Sequence, residues 1–309
     1  MSGIINVLKP PGMTSHDVVK HLRWLLKVKK TGHTGTLDPG VAGVLPVAIG
    51  KATKIIEYMA NNSKQYRAEI TLGRSTYTQD GFGETIRVAD ATSIREQDAV
   101  AALLSMKGRQ DQIPPMVSAI KLQGKKLYEL ARAGIEVPRE PRTIHIHEIE
   151  LISSTGFGNT NPTMLFDIKC SKGTYVRTIC HDLGENLGCG GFMSFLVRTG
   201  AGRFHITEAL TLEEITELVH QNIIRQALLP IDRALTFEPV SIYDDYVKPV
   251  LHGNRIPQSG VSEMPEHLVR DRLVKIMNQT TGCLAVARVL IDEQSVESGY
   301  SFQPVKVFY

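Results

Sequence analysis

Cysteine is scarce in this sequence: only Cys170, Cys180, Cys189 and Cys283 occur in 309 residues. None forms a C-x-x-C pair and their spacings match no zinc pattern, which argues against a disulfide framework or a structural zinc site. A recognisable signal peptide is also lacking, so a reducing cytoplasm is the expected location. No apolar run approaches the roughly 20 residues that cross a bilayer, so no membrane association is expected. Val44–Ile49 is short, is interrupted by Pro46, and reads as a buried strand. A phosphate-binding P-loop is missing too: Gly50-Lys51 is followed by Ala52, and Leu45 stands where the first glycine would be. His145 and His147 share a strand face, but with no further ligand beside them they read as ordinary exposed histidines. There is no internal repeat and no low-complexity tract.

Apolar residues make up 42% and charged residues 22% of the chain, values of a globular protein. The length suits one large domain or two unequal ones. The net charge of +3 is unremarkable, but its distribution is not. Residues 1–67 hold ten Lys or Arg against three acids, a local charge of +7, so the remainder carries −4. Such a segment could steer a polyanion; a set of solvated helix faces explains it equally well.

Periodicity outlines the elements. Ile4–Leu8 reads as a strand and 9–12 as a turn. Thr14-Ser15 with Asp17 then starts a helix whose apolar stripe is Val18, Val19, Leu22, Leu25 and Leu26. Tyr66, Ala68, Ile70 and Leu72 alternate with polar residues, as on a half-buried strand. Ser93 with Glu96 predicts a capping box for a helix running to about Lys107. Residues 108–142, rich in Lys, Arg, Gly and Pro, suit an exposed insertion. Met164–Cys170 predicts a strand, Val176–Leu187 a helix, and Thr211 with Glu214 another helix start. Beyond about residue 235, short apolar runs such as Leu273–Met277 and Cys283–Ile291 suggest a small β-rich domain. The expectation is therefore an α+β domain over 1–235 followed by a β-rich one over 236–309.

The most unusual stretch is Gly32-His33-Thr34-Gly35-Thr36-Leu37-Asp38-Pro39-Gly40. Glycines let backbone approach a ligand closely, and Pro39 biases Asp38 away from helix towards an extended conformation. An acid held in this way can point into a cleft, although a tight turn bearing a solvated Asp accounts for the same residues.

That stretch, with Gly43 and Gly50-Lys51-Ala52-Thr53-Lys54, resembles the signature of the TruB family of tRNA pseudouridine synthases. The resemblance extends to Lys9-Pro10-Pro11-Gly12-Met13-Thr14-Ser15 and to Leu72-Gly73 followed by Thr76, Thr78, Asp80 and Gly81. It continues through Pro114–Ala119, Leu127–Arg132, Gly173-Thr174-Tyr175-Val176-Arg177 and Asp182-Leu183-Gly184. It spans about residues 3–235; the C-terminal region is similar to the family's PUA RNA-binding domain more weakly, and its net charge is −2.

The resemblance implies a pseudouridine synthase fold with a mixed central sheet. It implies isomerisation of a uridine in the T loop of tRNA (position 55), by base flipping and with neither cofactor nor metal. Asp38 would be the catalytic carboxylate, Tyr66 the residue stacked on the flipped base, and Arg177 the partner that keeps Asp38 ionised. His33 would enter the vacated stack, Leu196 would wall the base pocket, Lys9 would support the active-site loop, and Tyr175 belongs to the late motif. The basic side chains of 108–142 (Lys121, Lys125, Lys126, Arg132, Arg139 and Arg142) would clamp the T arm. No protein partner is implied, and a monomer is expected. A guide-RNA-dependent relative and a tRNA-folding protein without catalysis are the alternatives; a glycosidase would need a second acid in a matched motif, and none is found.

Overall fold

The computed structural model describes residues 1–60, 63–122, 124–292 and 299–308. Among them, a nine-stranded mixed sheet forms the body. Its main path runs Gly3–Lys9, Ala42–Ile49, Gly191–Ala201, Lys64–Leu72, Thr163–Cys170, Arg142–Thr155 and Gly108–Gln112. The short strands Thr31–His33 and Phe204–His205 attach to Ala42–Ile49 and Gly191–Ala201 respectively. All these pairings are antiparallel except one: Gly191–Ala201 runs parallel to Ala42–Ile49, with Val197 opposite Ala42 and Arg198 opposite Gly43. Gly43 has φ +125°, and a Cβ there would stand 2.3 Å from the Arg198 carbonyl oxygen, so only glycine permits this approach.

Helices pack on the sheet where the periodicity placed apolar stripes. Ser15–Leu25 starts with a complete capping box between Thr14 and Asp17, and it buries Val18, Val19 and Leu22. Val176–Asn186 buries Val176, Ile179, Cys180 and Leu183 against the face carrying Tyr66, Ala68, Ile70 and Leu72. Thr211 and Glu214 cap Leu212–His220 as expected.

Two expectations are corrected. The helix Glu96–Ser105 begins after Arg95, not at a Ser93 cap. Glu96 is instead taken up by the Ser154 hydroxyl of a neighbouring strand, while Arg95 pairs with Asp98 at 2.7 Å; a tertiary partner has displaced the local one. Nor is 108–142 wholly an exposed insertion. Gly108–Gln112 is an edge strand of the main sheet, and Gln112, Pro114, Pro115, Met116 and Ser118 are buried. The hairpin formed by Lys121–Leu122 and Lys125–Lys126, with the Leu127–Arg132 helix, projects with Lys121, Lys125 and Arg132 exposed.

From Glu238 onward a second, six-stranded sheet forms, in the order Ile256–Pro257, Gly299–Val307, Gly282–Asp292, Leu273–Asn278, Glu238–Ile242 and Val261–Glu263. It has its own core around Val240, Ile276, Ala287 and Phe302. Val286 and Phe308 of this region pack with Ile4, Val44 and Ile55 of the body. The Lys54 ammonium donates to the Val307 carbonyl at 2.7 Å, and Lys306 meets Glu57 at 2.7 Å.

Candidate active site

Asp38 sits on the loop 34–41 that links Thr31–His33 to Ala42–Ile49. The main chain of this loop is fixed with unusual completeness. Arg198 donates to the carbonyls of Gly35 (3.1 Å) and Thr36 (3.3 Å). Ser15, the first residue of its helix, brackets Leu37: its hydroxyl donates to the Leu37 carbonyl at 3.2 Å and accepts from the Leu37 amide at 2.8 Å. The Val41 amide donates to the Asp38 carbonyl at 3.0 Å. The Pro39 carbonyl accepts from the Gly12 amide at 2.9 Å and from the Lys9 ammonium at 3.2 Å. Five consecutive carbonyls, from residue 35 to residue 39, thus have donors, and Leu37 and Val41 are buried as apolar anchors.

What the loop leaves free is the Asp38 carboxylate, 42% exposed and facing a cavity of about 300 Å³. Tyr66, Tyr175, Arg177, Met193, Leu196 and Arg198 contribute to its walls. Among the described residues lining it, Asp38 is the only acid. Arg177 is buried, its Nη1 lying 3.4 Å from Asp38 Oδ2 and 3.8 Å from Asp80 Oδ2, while its Nη2 donates to the Val117 carbonyl at 2.6 Å. A guanidinium at this range fixes the direction of the carboxylate.

Tyr66 lies on the Lys64–Leu72 strand, and burial pushes its phenol above the ordinary range, with the charge of Arg198 opposing that shift. Tyr175 stands at the start of the Val176–Asn186 helix, held by Gln112, which accepts from its amide at 2.8 Å and donates to its carbonyl at 3.1 Å. Burial raises the Tyr175 phenol as well.

Of the residues singled out in the sequence, the structure brings Asp38, Tyr66, Tyr175, Arg177 and Leu196 to one cavity. His33 and Lys9 do not line it. His33 is half-buried at the entrance to the loop, where its Nδ1 accepts from the Gly35 amide at 3.3 Å, and burial lowers its basicity. Lys9 is completely buried beneath the loop, donating also to the carbonyls of Pro10 (2.9 Å) and Met13 (2.6 Å).

Burial lowers the Lys9 pKa from 10.5 to about 8, with Asp38 opposing the shift. The unfolded chain therefore holds this proton more tightly than the folded one. The group disfavours folding in full below pH 8, and the penalty fades as pH rises from about 8 towards 10.5. Urea unfolding of the protein and of Lys9→Met is the check. Relative to the variant, the protein is expected to gain about 1.4 kcal/mol per pH unit within that window.

Three residues of the site were not singled out as functional. Arg198 is almost wholly buried, donating also to the Val44 carbonyl at 2.7 Å. Lys64 lines the cavity, its pKa lowered to about 8 by burial and then by Arg198. Asp80 stands behind Arg177; its Oδ1 accepts from the Thr78 hydroxyl at 2.5 Å and the Phe82 amide at 3.0 Å. The signal for Asp80 lay in the Thr76–Gly81 motif; Lys64 and Arg198 looked like any other basic residue. Among the described residues, no group of three or more His, Cys, Asp or Glu could hold a metal ion, and His145 and His147 stand ring to ring without a third ligand.

Comparison with known proteins places this geometry. Residues 23–176 match the family model described as TruB family pseudouridylate synthase (N terminal domain), and 177–236 match the tRNA pseudouridylate synthase B C-terminal domain. A protein of Pelotomaculum thermopropionicum named tRNA pseudouridine synthase B is 47% identical over 288 residues, 93% of this chain and 91% of its own. The protein of that name from Bacillus subtilis is 43% identical over 291 residues, covering 93% and 92%. Among solved structures, a Cbf5-Nop10-Gar1 complex contains a chain matched with TM-score 0.75 and 29% identity over 99% of this chain and 85% of that one. An H/ACA RNP bound to a substrate RNA containing 2′-deoxyuridine matches with TM-score 0.75 and 27% identity, at 99% and 85% coverage. The expected pseudouridine synthase fold is therefore present, and the chain belongs to the TruB family of pseudouridylate synthases.

Proposed function

We propose that this protein converts uridine to pseudouridine in tRNA, at the T-loop uridine of position 55, as a stand-alone monomeric enzyme of the cytoplasm. The observation that carries this reading is the single carboxylate of Asp38, directed into the cavity by Arg177 and walled by Tyr66 and Leu196. In the reaction the N1–C1′ bond breaks, the base turns, and a C5–C1′ bond forms. C5 loses its proton and N1 gains one. Nothing is oxidised and no group departs, so the step asks for one carboxylate, a proton acceptor and walls that hold the base. Asp38 supplies the carboxylate, Arg177 aims it, and Tyr66 stacks on the uracil and is placed to handle the C5 proton. With one acid among the described residues lining the cavity, the paired carboxylates of a glycosidase find no counterpart there.

A uridine inside a folded T loop must be extruded to reach such a cavity. His33, at the loop entrance and outside the cavity, suits the space that the base vacates. On this reading 1–235 is the catalytic domain, 236–309 is a PUA-like RNA-binding domain, and the projecting part of 108–142 closes on the T arm. The relatives named tRNA pseudouridine synthase B, at 43–47% identity, favour tRNA as substrate over a guide-dependent target.

Tritium release from an unmodified tRNA transcript carrying 5-tritiated uridine tests the reading. Release without added RNA or protein supports it. Tight binding with no release transfers the assignment to a guide-dependent enzyme or an RNA-folding protein. The clamp has its own test in the salt dependence of tRNA affinity. Replacing Lys121, Lys125 and Arg132 together by Gln is expected to flatten the slope of log K against log salt by about 2 to 3.

A further inference from the structure

We propose that Phe82 is a stacking platform for an unpaired base that flanks the target nucleotide; this rests on the RNA-modifying reading above. Phe82 is 84% exposed, the most exposed of the large apolar side chains among the described residues. One exposed aromatic is ordinary on a protein surface. What sets this one apart is where it stands and how firmly it is held.

The ring lies over Gly40. A Cβ built on Gly40 would come within 2.5 Å of the Phe82 ring, so the ring rests against bare backbone there. Gly40 is two residues beyond Asp38, hence within about 7 Å of it along the chain. The ring therefore stands beside the loop that carries Asp38, with most of its surface open to solvent.

The turn that carries Phe82 is laced to the body. The Gly81 amide donates to the Met193 carbonyl, and the Met193 amide to the Gln79 carbonyl, both at 3.0 Å. The Thr178 hydroxyl donates to the Gln79 side chain at 2.7 Å. Gly83 fits against Thr78 with no room for a Cβ. Asp80 accepts from the Phe82 amide with one oxygen and faces Arg177 with the other. The main chain of the turn and the wall of the cavity thus share one frame, which fixes where the ring is attached.

The occupant follows from the chemistry. Extruding one nucleotide from an RNA loop breaks the stack on both sides of it. Its chain neighbours are then held at the rim of the cavity, unpaired, and an exposed aromatic face is the usual partner for such a base.

Steady-state tritium release from a T-arm stem–loop decides the matter, using the protein, Phe82→Ala and Phe82→Trp. The expected result is a KM raised by about 5- to 100-fold in Phe82→Ala with kcat within about twofold, and near-parent values for Phe82→Trp. On stem–loops with an abasic site immediately 5′ or 3′ of the target, the penalty is expected to vanish for one of the two, which identifies the stacked base. An unchanged KM, a penalty that persists on both abasic RNAs, or a fall in kcat alone (the mark of a mere cover for Gly40) overturns the proposal. A direct readout does not need catalysis. Phe82→Trp in a Trp24→Phe background leaves one indole, whose fluorescence is expected to be quenched by the stem–loop. Quenching without tritium release would keep the platform and remove the isomerase reading; release without quenching would do the reverse.

Discussion

Asp38→Asn is expected to bind tRNA with nearly the affinity of the parent and to release tritium at least about 10⁴-fold more slowly, a loss typical of removing a group that bonds to the substrate. The substitution is nearly isosteric, and the loop around it is held through main-chain carbonyls that the change leaves intact. On the proposed reading, binding draws on side chains well away from Asp38 and has no reason to collapse. The amide differs in what matters to the chemistry: it carries no charge and is a poor nucleophile. It also leaves Arg177 facing only Asp80 among its carboxylate partners. Filter binding and tritium release on the same preparation separate the two effects. Comparable loss of both would mean that Asp38 serves the loop's shape rather than the reaction.

Arg198→Met is expected to weaken the fold by about 3 to 5 kcal/mol and to lower kcat by about 10²-fold in whatever remains folded. The guanidinium is almost fully buried and donates to the carbonyls of Gly35, Thr36 and Val44. Methionine fills much of the volume but donates nothing, so these buried acceptors lose their partner. A domain with an ordinary stability of about 5 to 15 kcal/mol survives this, but Asp38, two residues beyond Thr36, does not keep its place to within the ångström that a near-attack geometry demands. Urea unfolding shows the first effect as a lower midpoint at unchanged slope. Single-turnover tritium release at saturating enzyme shows the second. Arg198→Lys, retaining charge but only one ammonium for several carbonyls, is expected to fall between the two.

Much of the architecture was legible in the sequence because its signals are local. The Thr14–Asp17 and Thr211–Glu214 capping boxes and the alternation from Tyr66 to Leu72 appear where they were read. Ser93 and Glu96 carried the same kind of signal and it failed, because Ser154 lies across the helix and takes the carboxylate. Of the site, the Gly-rich loop was legible because glycines around an acid are rare in elements that merely pack. Arg177 could be linked to Asp38 only through the family resemblance, since nothing local ties residues so far apart. Arg198 and Lys64 were illegible for a further reason: whether a cation is buried depends on the strands that flank it, and these come from distant parts of the chain. Gly108–Gln112 was misread as exposed because an edge strand with one free side has the polar composition of a loop.

The donors that fix the loop 35–39 have a consequence for how the protein comes into being. Apart from the local Val41 amide, they arise from Lys9, Gly12 and Ser15, which precede the loop, and from Arg198, which follows it by some 160 residues. A nascent chain has made Asp38 and Tyr66 long before it has made Arg177 and Arg198. During translation the acid is therefore present on a half-tethered loop, without its counter-ion and without the strand that closes the sheet beside it. Residues 23–176, the first of the two matched segments, hold Asp38, Tyr66 and the local Val41 tie but none of the other donors. A truncation product or proteolytic remnant ending there carries the most recognisable part of the sequence and lacks the means to aim it. The full set of ties on the loop is thus complete only once the strand bearing Arg198 has been made and joins the sheet.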